Sequence, residues 1–157
     1  MMKRLILAVL AILILGGNAR AAGSVTQAIN RYPNANLRTV VLSWTGDAAN
    51  GTVPSTATSD AITADIAGWY VYAIETDPGS VAPTTLYDIV INDASGFDVA
   101  GGQLANRSAT ATERIIPKLD TTASLYGGVL IDSALTLVIT NQSAVSATGT
   151  VKLFLAQ

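Results

Sequence analysis

The feature that most constrains this chain is a recurrence of short runs rich in β-branched and aromatic residues, each closed by glycine, proline, asparagine or aspartate. Residues 37–45 (Leu-Arg-Thr-Val-Val-Leu-Ser-Trp-Thr) stop at Gly46-Asp47, and residues 67–75 stop at Asp77-Pro78-Gly79. In residues 86–93, Tyr87, Ile89 and Ile91 alternate with Asp88, Val90 and Asn92, which predicts a half-buried strand with the first set inward. Beyond the N-terminal segment no run keeps a capped helical period, although short helical turns fit residues 26–30 and 119–124. The pattern predicts an all-β, antiparallel single domain of β-sandwich or jelly-roll-like form.

Within that frame, residues 134–140 and 148–155 flank a polar connection and are expected to pair as an antiparallel hairpin. Leu135, Leu137 and Ile139 then share an inner surface with Val151, Leu153 and Leu155. Around Trp69 the alternation places Trp69, Val71 and Ala73 on one face and Tyr70, Tyr72 and Ile74 on the other. Residues 48–59 read as an exposed loop, and residues 113–117 as a short edge strand closed by proline.

The first 22 residues stand apart. Lys3 and Arg4 precede an apolar run at residues 5–15, and Ala19-Arg20-Ala21 offers a small-residue cleavage site, the composition of a secretory signal. Eleven apolar residues fall short of the roughly 20 that span a bilayer, so contact with a membrane is expected only through this segment, if it stays uncleaved. The organisation expected is a signal-like or N-terminal arm segment at 1–22, a linker at 23–36, and a β-sandwich domain at 37–157.

The chain has neither cysteine nor histidine. That removes disulfides, thiol nucleophiles, the commonest zinc ligands and the usual neutral-pH base, and no cofactor is expected. Only 13% of residues are charged, and three of the nine basic ones lie in the first 20 positions. The remainder sets six basic against eleven acidic groups, without the clustered Lys and Arg that nucleic acid binding requires.

The remaining polar constellations are modest. Residues 92–98 (Asn-Asp-Ala-Ser-Gly-Phe-Asp) gather oxygen ligands of the kind calcium takes, but their spacing is not that of a calcium loop and a self-bonded turn explains them better. Glu75, Asp77, Asp88 and Asp98 are the carboxylates available for glycoside chemistry, though solvated turns account for them. Trp69, Tyr70 and Tyr72, with Tyr87, offer aromatic area for a glycan or a neighbouring subunit, or they fill the core. Arg107, in a loop of small residues, is suited to grip a partner carboxylate.

The succession Asp77-Pro78-Gly79, Pro83, residues 87–93, Gly96-Phe97-Asp98-Val99, Gly101-Gly102 and Ala105-Asn106-Arg107-Ser108, with the closing residues 149–155, resembles a pattern recurring in small phage virion-associated proteins. The resemblance spans residues 37–155 and contains no catalytic motif. It implies a non-enzymatic structural component of a virion, a decoration, head-fibre or tail-accessory protein, whose partners are further copies of itself or other phage structural proteins. The candidate contacts are Trp69, Tyr70, Tyr72 and Arg107. The signal-like segment departs from that group, and leaves open an N-terminal assembly arm or an exported surface module that binds carbohydrate.

Overall fold

A computed structural model describes residues 21–120 and 124–157. All but the last two residues of the signal-like segment therefore lie outside the described residues. The strands are β1 (Ser24–Tyr32), β2 (Leu37–Thr45), β3 (Thr56–Ala57), β4 (Tyr70–Pro78), β5 (Asp88–Asn92), β6 (Glu113–Ile115), β7 (Val129–Leu130), β8 (Thr136–Thr140) and β9 (Thr148–Ala156), with one helix, α1 (Asp60–Ile66), between β3 and β4. They form two antiparallel sheets. The larger runs β1-β2-β9-β4-β6, with β7 also on β4, and the smaller runs β3-β8-β5. The fold is all-β in character.

The inward rows are those that strand alternation dictates. Val40, Leu42 and Trp44 of β2 and Val151, Leu153 and Leu155 of β9 are buried, as are Tyr87, Ile89 and Ile91 along β5 and Leu137 and Ile139 on β8. Rows from both sheets join one hydrophobic cluster. Each such side chain contributes on the order of 1.5–3 kcal/mol by leaving water.

Four local expectations are corrected. The stretch 23–36 is not a linker, since Ser24–Tyr32 pairs residue for residue with β2 and residues 26–30 are extended. Its weak alternation, with Val25 and Ile29 half-buried, hides a strand at a sheet edge where little burial is demanded. Residues 48–59 are only partly a loop, because Gly51, Val53 and Thr58 are buried and Thr56–Ala57 forms β3.

The helix lies at Asp60–Ile66, where none was expected. Ser59 Oγ accepts the Ile62 amide at 3.4 Å as N-cap, and Ile62 and Ile66 are buried. Two apolar residues four apart make too brief a period to stand out. Residues 119 and 120 are not helical, and 121–123 lie outside the described residues.

The fourth correction concerns β8 and β9, which do not pair. β8 lies between β3 and β5, whereas β9 lies between β2 and β4. Their connection passes from one sheet to the other and is pinned by Gln142, which is buried. Its Nε2 donates to the carbonyls of Gly51 (3.0 Å) and Ala144 (2.7 Å), and its Oε1 accepts the Thr84 amide at 2.8 Å.

Candidate contact face

The outward face of the larger sheet carries the exposed rings of Tyr70 and Tyr72, and β4 is bulged at the second of them. Val71 pairs with Leu155 and Ala73 with Phe154, so Tyr72 is an extra residue in β4. The insertion reverses the alternation beyond it. Ile74, expected beside Tyr70 and Tyr72, turns into the core opposite Leu153, and Ala73, itself buried, lies opposite Phe154.

Tyr70 and Tyr72 remain outside, 45% and 39% exposed. Tyr72 meets Phe154 of β9 with ring centroids 6.2 Å apart and planes tilted by 54°, a geometry favoured by the ring quadrupoles. The Arg114 guanidinium of β6 sits 4.6 Å from the Phe154 ring centre, and Lys152 Nζ lies 5.7 Å from it. Glu75 ties the two cations together, accepting from Arg114 and from Lys152 Nζ at 3.1 Å. The Arg114 hydrogen bond, assisted by Lys152 against the opposing effect of burial, holds the Glu75 carboxyl below its ordinary range. An aromatic surface thus lies beside a fixed, net-positive polar cluster. Next to it a shallow recess of about 460 Å³ is lined by Gln103, Arg114, Ile115, Ile116 and Tyr126.

Of the four residues singled out from sequence, Tyr70 and Tyr72 share this face. Trp69 does not. It is buried, one residue earlier on the inward row, and the Arg38 guanidinium stacks 4.2 Å from its ring centre. Arg107 is also elsewhere, with an 11% exposed side chain. Its Nη1 lies 3.5 Å from Glu113, its Nη2 donates to the Ala105 carbonyl at 3.2 Å, and its backbone amide donates to Tyr87 O. It holds its own loop. Phe154, Arg114 and Lys152 were missed, although Lys152 and Phe154 alternate with the core row of β9, which is the signal for an outward face.

The carboxylates considered for chemistry are engaged separately. Asp77 accepts from Thr112, while Asp88 accepts from the Asn106 amide and Asn141 Nδ2. Asp98 accepts the amides of Ile91, Ala100 and Gly102. Asp93 accepts from the Ser95 hydroxyl and the amides of Ser95 and Phe97 at 2.7–2.9 Å, which lowers its pKa. Residues 92–98 are thus a turn that binds its own backbone, and no cluster of three potential metal ligands occurs among the described residues. Nor, among those residues, is any helix long and apolar enough to cross a membrane.

What the fold and this face define together is a mostly-β chain with exposed aromatic side chains on its larger sheet. Comparisons with known protein families, curated proteins and solved structures found no match.

Proposed function

We propose that this chain is a non-enzymatic structural component of a phage particle, a capsid decoration or head or tail accessory protein, built as a β-sandwich of jelly-roll-like type and acting through subunit contacts. The observation that carries the reading is the exposed Tyr70 and Tyr72 pair, which, with the half-buried Phe154 against Tyr72, places large amphipathic rings beside a charge-fixed rim. Interface centres favour such residues because rings bury much area at little cost in conformational entropy. The sandwich form is supported by the shared core of the two sheets, across which Trp44 and Tyr87 stand 5.8 Å apart. The resemblance of residues 37–155 to virion-associated proteins supports the particle.

The test is co-sedimentation with purified particles of the full chain and of a Tyr70→Ser, Tyr72→Ser variant. Both side chains are exposed, so the variant keeps the parent's thermal midpoint. Loss of particle association with the midpoint unchanged is the expected result. Undiminished association of a folded variant would remove this face from the account.

A second reading is an exported surface module that binds carbohydrate, favoured by the same two exposed tyrosines, since sugars stack on aromatic faces. Titration with a panel of surface glycans distinguishes it, saturable binding lost in the same variant being the expected signature.

A further inference from the structure

The two long margins of the larger sheet are built differently. Its β6 margin is blunted in the ways proteins use to prevent strand addition: three residues with Glu113 and Arg114 among them, and Pro117 two positions on. In the smaller sheet, β3 has two residues. The free side of β5 is covered, because Ile89 N donates to Leu104 O, Val99 N donates to Ile91 O, and Tyr87 bridges Arg107.

Strand β1 has none of these protections. It runs nine residues in unbroken register with β2, without bulge, proline or lysine, and Arg31 near its end is its single charge. Among the described residues nothing pairs with its other side. Such an edge presents a row of backbone donors and acceptors to any strand that can lie flat against it.

We infer that β1 is a self-association edge whose partner is β1 of a second copy of this chain, joined antiparallel so that the two larger sheets become one. The occupant follows from the strand's own sequence. Full nine-residue overlap puts the two-fold axis at Ala28, opposing Thr26 to the partner's Asn30 and Gln27 to the partner's Ile29. Arg31 then lies across from the partner's Val25, so no like charges meet. The outward-facing Thr26, Ala28 and Asn30 are small, exposed and free of charge, and leave the approach open. This deepens the reading of a protein that works through subunit contacts. It uses a margin of the sheet distinct from the Tyr70–Tyr72 face.

The test is sedimentation equilibrium of the full chain, beside Ala28→Lys, Ala28→Glu and an equimolar mixture of the two. Ala28 is exposed, so each variant retains the fold, which its thermal midpoint verifies. The inference expects a concentration-dependent dimer for the parent and self-association about tenfold or more weaker in each variant, where like charges face across the axis. The mixture restores the dimer, as lysine then meets glutamate. A parent that stays monomeric up to about 1 mM overturns the inference, as does a dimer that either folded variant leaves intact. Neither outcome alters particle association through the tyrosine face, which the co-sedimentation assay reads separately.

Discussion

Gly149 of β9 lies directly across the strand pair from Trp44 of β2, where a Cβ would come within 2.6 Å of the indole ring. Gly149 heads the inward row that continues through Val151, Leu153 and Leu155, and by having no side chain it leaves the space that Trp44 fills. Gly149→Ala is expected to lower stability by about 1–3 kcal/mol, because the indole must shift within a packed core. A reduced denaturant midpoint, with altered tryptophan emission, checks this. An unchanged midpoint would contradict the packing.

Tyr87 provides a pH signature. Burial pushes its phenol up to about 12, opposed by Arg107 and reinforced by Glu113. A raised folded value means that the native state keeps its proton where the unfolded chain has lost it. The resulting stability is complete below about pH 10 and disappears as pH rises through the folded value. Unfolding measured from pH 8 upward should show a loss beginning near pH 10, and Tyr87→Phe should make that limb shallower.

Glu75 acts at the opposite end of the scale. Its depressed pKa, owed first to Arg114, contributes stability above the unfolded carboxyl value that is lost as pH falls through the folded one. Glu75→Gln should flatten the acid limb of a thermal-midpoint profile by lowering the plateau above the unfolded carboxyl value, and high salt should shrink the difference between variant and parent. An acid limb identical to the parent's would show that the cluster carries no such linkage.

The strand pattern was legible wherever burial forces a strict alternation, as at Tyr87, Ile89 and Ile91. It fails where one inserted residue reverses the alternation: nothing local marks Tyr72 as a bulge, so alternation groups Ile74 with Tyr70 and Tyr72 although it lies in the core. Pairing was harder still. The inward rows of β8 and β9 were identified, but neighbouring strands joined by a polar segment read the same whether the chain turns back or crosses to another sheet. Gln142, the anchor of that crossing, makes contacts with Gly51 and Thr84 that are remote in sequence. Of the candidate contacts, which alternation leaves free to be surface or core, the structure exposes Tyr70 and Tyr72 and uses Trp69 and Arg107 in internal packing.

That difference is itself testable. Arg107→Ala removes the donors to Glu113 and to the Ala105 carbonyl and is expected to cost about 1–3 kcal/mol. Tyr70→Ala and Tyr72→Ala, at exposed positions, should each stay within about 0.5 kcal/mol of the parent. Chemical denaturation of the three variants decides it. Equal losses at all three sites would contradict the separation of scaffold from contact face.

The role proposed for this chain makes it a constituent of a phage particle. Intact-protein mass spectrometry on purified particles, alongside the secreted fraction of the same culture, tests it most directly. The full-length chain is expected in the particles. A shortened chain found only in the secreted fraction would contradict it and favour the exported module.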